Sequence, residues 1–255
     1  MKKDKKLIVA NWKANPDTLK LAKANLNETK KFVKKFKNVE VVVCPPTIFL
    51  ESMKSSTKPV SLGAQDIFVE PRGAFTGSTG YAALIETKIS HVIIGHSERR
   101  AMGEDDALIN KKLKVALLNK LTPILCVGES KRDANLEYLG FLKNQIIADF
   151  KDIPKAQVRN IVIAYEPVWA IGANAKRNAK PSEIEEIVIF IKRVVGDIYK
   201  TESVPPIKVI YGGSVTEKDV QYIFEESGVD GLLVGRASLT PKIFGEIIRI
   251  TSEIK

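Results

Sequence analysis

The chain has 255 residues, of which 44% are hydrophobic and 27% are charged, and its net charge is +10. These proportions are ordinary for a globular protein and argue against a disordered chain or a coiled coil. No apolar stretch of the sequence approaches the roughly 18 consecutive residues that a membrane span needs.

The amino-terminal sequence and the cysteines indicate the compartment. Behind the basic run at residues 2–6 stand only four apolar residues, 7–10, whereas the h-region of a signal peptide needs about seven or more. Cys44 and Cys126 lie far apart in separate apolar runs, which indicates buried thiols rather than a disulfide framework. We therefore expect a cytoplasmic protein without a membrane anchor.

The positive charge is compatible with a nucleic-acid partner, or with an anionic substrate and a lysine-rich surface. Lysine pairs at residues 30–31 and 34–35 alternate with Phe32 and Phe36 at helical spacing. Such alternation is typical of the solvated face of a helix. We therefore predict that the protein has no nucleic-acid partner.

Short apolar runs recur along the whole chain. They span residues 7–11, 39–43, 60–64, 91–94, 123–127, 161–166, 207–211 and 231–234. Each run is nearly continuous in apolar character, which is typical of strands in a parallel sheet that is covered on both faces.

Segments with helical periodicity lie between these runs. Residues 107–118 and 184–198 carry apolar side chains three and four positions apart, and Ser182 and Glu185 have the spacing of a capping box before the second segment. No linker or low-complexity tract divides the chain, so we predict one α/β domain over residues 1–255. Eight strand-then-helix units match a closed (β/α)8 barrel. The alternative is an open doubly wound sheet, which usually has a glycine fingerprint after its first strand; residues 11–15 do not provide one.

Polar side chains directly follow several of the predicted strands. Lys13 follows the first strand, His96 the fourth and Glu166 the sixth, while glycine-bearing loops at residues 212–214 and 235–236 follow the last two. In a (β/α)8 barrel, these strand ends meet at one face, and the last two loops often bind phosphate. A carboxylate base, cationic groups that stabilise a charged oxygen and a phosphate cradle suit proton transfer next to a carbonyl. The sequence contains no metal-ligand cluster and no cofactor fingerprint, so we expect neither a metal nor a cofactor.

Several stretches of the sequence resemble triosephosphate isomerase. They are residues 11–13, 63–65, 73–77, 94–100, 123–129, 164–172 and 211–215. They are spread along most of the chain in the order found in that family. The resemblance implies a (β/α)8 barrel enzyme that interconverts dihydroxyacetone phosphate and D-glyceraldehyde 3-phosphate, a step of glycolysis and gluconeogenesis, without a cofactor.

The resemblance also implies a role for individual residues. Glu166 is expected to move the proton between neighbouring carbons, and His96 to act as electrophile and proton shuttle on the oxygens. Lys13 is expected near the substrate oxygens, with Asn11 beside it and Glu98 supporting the lysine. The expected phosphate-binding residues are Gly172, Ser214, Gly235 and Arg236, through their backbone N–H groups.

Members of this family are usually homodimers, in which the loop at residues 73–77 would insert into the second subunit with Thr76 at its tip. The chain departs from the family pattern at Arg236 and Ser78, where a glycine and a glutamate are usual, and in a lengthened lid at residues 173–180. The altered lid and Arg236 keep open an enzyme for another phosphorylated sugar. The basic surface leaves a non-catalytic binding protein as a third hypothesis.

Overall fold

Eight short parallel strands close into a barrel. A computed structural model describes residues 5–54, 57–172, 175, 177–200 and 206–254. The strands are β1 (Lys6–Asn11), β2 (Val39–Cys44), β3 (Ser61–Ala64), β4 (His91–Ile94), β5 (Thr122–Val127), β6 (Val162–Tyr165), β7 (Lys208–Tyr211) and β8 (Gly231–Val234). Every strand lies within one residue of its predicted bounds, because an apolar run that is buried on both faces is an unambiguous signal.

The first strand closes the barrel by pairing with both β2 and β8. Ile8 is in register with Val41 on one side and with Leu232 on the other, and the strand order is sequential around the barrel. The predicted (β/α)8 barrel is therefore confirmed, and the open doubly wound sheet is wrong. Sequential parallel closure places the carboxyl ends of all strands at one face.

Helices follow the strands and cover the barrel. They are α1 (Leu19–Lys35), α2 (Thr47–Met53), α3 (Tyr81–Glu86), α4 (Ser97–Ala101), α5 (Asp106–Leu118), α6 (Glu137–Asp149), α7 (Pro181–Ile198), α8 (Val220–Ser227) and α9 (Pro241–Glu253). No helix in the described part of the chain is both long and apolar enough to cross a membrane.

The predicted capping box of α7 at Ser182 and Glu185 is wrong. The helix begins at Pro181, and the Glu183 carboxylate accepts a hydrogen bond of 2.8 Å from the Lys180 backbone N–H. Proline favours the first helical position, since its fixed φ suits a helix and its missing N–H would have no partner there. The residue before a proline stays extended, so Lys180 rather than Ser182 is the N-cap, and the helix starts two residues earlier than predicted.

Alternate residues of each strand face two different apolar layers. Leu7 and Val9 point into the barrel together with both cysteines, Cys44 and Cys126. Ile8 and Ala10 point outward and pack against the helices. Both cysteines are buried free thiols, as predicted. The filled barrel interior forms the floor beneath the residues at the strand ends.

Lid residues are described only in part. Ala173, Asn174 and Lys176 of the predicted lid at residues 173–180 lie outside the described residues. The bordering residues, Gly172 and Arg177, are described and both are exposed.

Candidate active site

Glu166 stands directly after β6 with both carboxylate oxygens engaged. Its Oε1 lies 3.1 Å from His96 Nε2, and its Oε2 accepts a hydrogen bond of 3.0 Å from the Ser97 backbone N–H. The backbone N–H of Glu166 donates to the Val127 carbonyl at 2.8 Å, which continues the pairing of β6 with β5. Only 2% of the residue is exposed. A buried carboxylate is tolerated here because hydrogen-bond donors face both of its oxygens.

Glycines leave the room that Glu166 occupies. A Cβ on Gly212 would come within 2.9 Å of Glu166 Cγ, and one on Gly128 would lie 1.7 Å from the Glu166 carbonyl oxygen. A larger residue at either position would push Glu166 out of place.

His96 follows β4 and is the residue before the first turn of α4. Its Nδ1 accepts a hydrogen bond of 3.2 Å from the Glu98 backbone N–H, which requires Nδ1 to carry no proton. The ring proton is thus assigned to Nε2, which faces Glu166. This tautomer turns an N–H donor toward the cavity.

Lys13 has a left-handed backbone with a φ of 52°, a conformation that costs free energy for any residue with a side chain. Contacts on both sides hold it: its N–H donates to Asn11 Oδ1 at 3.0 Å, and Gln65 Nε2 donates to its carbonyl at 2.8 Å. Its ammonium forms an ion pair of 2.7 Å with Glu98. Partial burial raises the pKa of the Glu98 carboxyl, but the hydrogen bond and charge of Lys13 outweigh it, so this pKa lies below its usual value.

A cavity of about 650 Å³ brings the predicted residues together. Its lining includes every site residue that the sequence indicated: Asn11, Lys13, His96, Glu98, Glu166, Gly172, Ser214, Gly235 and Arg236. The side chain of Ser214 donates to the Ala170 carbonyl at 3.0 Å. No group of His, Cys, Asp and Glu within the described ranges is arranged to hold a metal ion.

Arg236 fits its position without backbone strain. It begins a short 3-10 helix, Arg236–Leu239, and it is not among the residues with a positive φ. A residue with a side chain is therefore acceptable where a glycine is usual, and Arg236 lines the cavity.

Comparisons with known proteins agree on one family. A family model described as triosephosphate isomerase matches residues 6–251. A protein of Endomicrobium trichonymphae named triosephosphate isomerase is 38% identical over 250 residues, which cover 96% of this chain and 98% of that protein. One of Rhodopirellula baltica with the same name is 39% identical over 251 residues, 95% of this chain and 96% of that protein. This chain belongs to the triosephosphate isomerase family.

Some residues at the site of this family member escaped the sequence analysis. The Ser97 backbone N–H holds Glu166, the Gln65 amide holds the Lys13 carbonyl, and Gly212 gives Glu166 its space. Gln65 and Gly212 lie in stretches that carried the resemblance, but nothing in the residue types indicated these contacts. A backbone donor, a bond between two loops and an absent side chain all depend on the folded geometry.

Proposed function

We propose that this protein is an isomerase that interconverts dihydroxyacetone phosphate and D-glyceraldehyde 3-phosphate, with Glu166 as its base. Glu166 takes a proton from the carbon beside the carbonyl and returns it to the neighbouring carbon, by way of an enediolate. The observation that carries the proposal is a buried carboxylate within 3.1 Å of an imidazole nitrogen at the carboxyl face of the barrel.

His96 and Lys13 act on the substrate oxygens. The Nε2–H of His96 donates to the oxygen that gains charge as the proton leaves carbon, and the ring then moves protons between the two oxygens. The Lys13 ammonium stabilises the same negative charge. One oxygen of Glu166 lies 3.1 Å from His96 Nε2, and the other accepts a hydrogen bond from the Ser97 backbone N–H. The carboxylate therefore turns away from these partners to reach a substrate carbon.

The phosphate lies at the other end of the cavity. Backbone N–H groups of Gly172, Ser214, Gly235 and Arg236 bind it, because such groups present partial positive charge to an anion. Closure of the segment after Gly172 excludes water from the enediolate. These proton transfers need only side chains of the chain itself, so we propose that the enzyme works without a cofactor or a metal.

The wider setting follows from the same proposal. The enzyme works in glycolysis and gluconeogenesis in the cytoplasm, on a phosphorylated triose and without a nucleic-acid partner. Residues 1–255 form a single domain, and two copies form a homodimer through the loop at residues 73–77. In support, residues 72–79 are all exposed.

A coupled assay tests the activity. Purified protein receives glyceraldehyde 3-phosphate, and an NADH-dependent reductase reports the dihydroxyacetone phosphate that forms. We expect efficient turnover, with kcat reduced at least about a hundredfold in Glu166→Gln, the scale of removing a general base. Glu185→Gln is the matched control, since Glu185 is an exposed residue of α7. An inactive wild type would contradict the proposed reaction, and an active Glu166→Gln would contradict the role of Glu166.

A further inference from the structure

The side chain of Arg236 is an uncompensated cation at the phosphate end of the cavity. The residue is exposed and lines the same cavity as Lys13. No carboxylate oxygen of a described residue lies within the 4.0 Å of an ion pair from its guanidinium. The ammonium of Lys13, in contrast, already forms an ion pair with Glu98. An anion entering the cavity therefore meets Arg236 as the cation with no acidic partner.

The backbone at Arg236 is fixed, while its side chain is free to meet a ligand. The backbone N–H and the hydroxyl of Ser238 both donate hydrogen bonds to the Gly235 carbonyl, at 2.9 Å and 2.6 Å. Gly235 itself lies beside Lys13, since a Cβ at this position would be 3.7 Å from Lys13 Cε. The guanidinium thus starts from a rigid turn next to the lysine, at the end of the cavity proposed for the phosphate.

Guanidinium chemistry suits a phosphate monoester. The planar fork of an arginine donates two parallel hydrogen bonds to two phosphate oxygens, and these bonds are stronger than those of neutral donors. Backbone N–H groups supply only partial charges. Glu217 is an acidic residue of the same cavity lining. A phosphate dianion carries two negative charges and therefore attracts the guanidinium more strongly than the single charge of this carboxylate does.

We propose that the Arg236 side chain binds the phosphate dianion of the substrate and sets the affinity of this enzyme for phosphate esters. The inference rests on the proposed function, because it takes a phosphorylated triose as the ligand. The guanidinium contacts the phosphate and not the carbons that exchange a proton, so it stabilises the bound substrate and the transition state equally. Such binding lowers KM and leaves kcat unchanged.

Steady-state kinetics of Arg236→Gln test this inference. We expect KM for glyceraldehyde 3-phosphate to rise at least about fivefold, the scale of one exposed charge-assisted hydrogen bond, with kcat within about twofold of the wild type. The inhibition constant of inorganic phosphate rises by a similar factor. Arg236→Lys keeps the charge but loses the planar fork, so we expect its KM and its inhibition constant to lie between those of the wild type and Arg236→Gln.

Two controls separate a specific contact from a general charge effect. Lys34→Gln removes one positive charge from an exposed position near the carboxyl end of α1 and is expected to leave KM and phosphate inhibition unchanged. Raising the ionic strength to about 0.3 M, where the screening length is roughly 6 Å, is expected to increase KM less in Arg236→Gln than in the wild type. Equal KM and equal phosphate inhibition in wild type and Arg236→Gln would overturn the inference, as would a loss confined to kcat.

Direct binding distinguishes a failure of the inference from a failure of the proposed function. Titration calorimetry with inorganic phosphate needs no turnover. Weaker phosphate binding by Arg236→Gln supports the anion contact even for a wild type that does not isomerise the triose. An active wild type whose phosphate affinity matches that of Arg236→Gln contradicts the role of Arg236 alone. Because Arg236 is exposed and its backbone is unstrained, we expect the variant to fold, and Arg236→Lys provides a second test.

Discussion

The Arg100 side chain connects the ends of β4 and β5 beneath the site. Its guanidinium donates to the carbonyl oxygens of Gly95 at 2.9 Å and Cys126 at 3.2 Å, one after β4 and the other in β5. It also lies 2.9 Å from an oxygen of the Asp149 carboxyl group and forms an ion pair with Asp106. Two acidic residues thus share one guanidinium, and Asp149 is fully buried. The end of β4, which leads into His96, and the neighbouring β5 are held by this arrangement.

Asp149 makes the stability of the protein depend on pH. Burial raises the pKa of its carboxyl from 3.8 to about 8, although the charge of Arg100 opposes the shift. Between these two values the unfolded chain has lost the proton and the folded chain retains it, so stability decreases as the pH rises from about 4 to about 8. The side chain of Asp149→Asn does not titrate. We therefore expect the free energy of unfolding of this variant, relative to that of the wild type, to increase by on the order of a few kcal/mol from pH 5 to pH 9.

Thermal denaturation of both proteins at the two pH values measures this gain. An Asn side chain still accepts the Arg100 hydrogen bond through its oxygen. The pH-dependent difference between the two proteins therefore reports the titration of Asp149. A difference in Tm that stays constant from pH 5 to pH 9 would show that Asp149 is already ionised in the folded protein at pH 5.

Single residues also mark the limit of what the sequence predicts. Lys13, His96 and Glu166 could be predicted because each follows an apolar run, and parallel strands bring their carboxyl ends to one face. The role of Arg100 could not, because residues 99–100 look like an exposed charge run. The guanidinium is part-buried only because α4 places it against the ends of β4 and β5.

Among the elements, the segment between β6 and α7 is held at both ends by side chains. Trp169 Nε1 donates to Glu129 Oε1 at 2.7 Å. The Arg177 guanidinium lies 4.5 Å from the centre of the Trp169 ring and donates two hydrogen bonds of 2.7 Å to Glu183. Glu183 also binds the backbone N–H of Lys180 at the start of α7. One arginine therefore connects the beginning of this segment to the helix that follows it.

Glu183 links this connection to pH. Its hydrogen bonds from Arg177 lower the pKa of the Glu183 carboxyl from 4.5 to about 2. A lowered pKa stabilises the fold above about pH 4.5, and this contribution is lost as the pH falls toward 2. We expect Glu183→Gln to destabilise the protein at pH 7 by roughly 0.2–1 kcal/mol, the range for a partly exposed ion pair, since the Gln amide oxygen still accepts the hydrogen bond from the Lys180 backbone N–H.

Denaturation of wild type and Glu183→Gln at pH 7, 5 and 3 measures the effect. The difference in stability is expected to narrow at pH 3, where part of the wild-type contribution is already lost. The exposed Glu185→Gln on the same helix is the control and is expected to resemble the wild type at each pH. A gap between wild type and Glu183→Gln that does not change with pH contradicts the ionic part of this account.

Elements differ in how far the sequence predicts them. All strands could be placed within one residue, because burial on both faces leaves a continuous apolar run. The start of α7 differs from its prediction because two capping patterns, one at Lys180 and one at Ser182, overlap in the sequence, and only the proline decides between them. The short helices α3 and α4 carry too few turns for a helical period to be recognised.

On the scale of the whole molecule, exposed apolar side chains gather near the ends of three neighbouring strands. Ile48 follows β2 and is 81% exposed, Phe75 follows β3 and is 45% exposed, and Met102 follows β4 and is 77% exposed. Because β2, β3 and β4 are consecutive around the barrel, these side chains share one side of the molecule. Grouped exposed apolar residues are typical of a protein interface, which the strand pattern alone does not reveal.

The proposed homodimer predicts what happens when this apolar surface is changed. Light scattering at micromolar concentration is expected to give twice the chain mass of 28.2 kDa. Phe75→Glu places a charge in the loop at residues 73–77, where burial against a second copy would desolvate it without a partner. We therefore expect this variant to be monomeric.

Leu118→Glu is the control. It makes the same kind of change at a side chain that is 81% exposed at the carboxyl end of α5, away from the active-site face, and is expected to remain dimeric. A wild type with the mass of a single chain contradicts the dimer, and a dimeric Phe75→Glu places the interface on another surface.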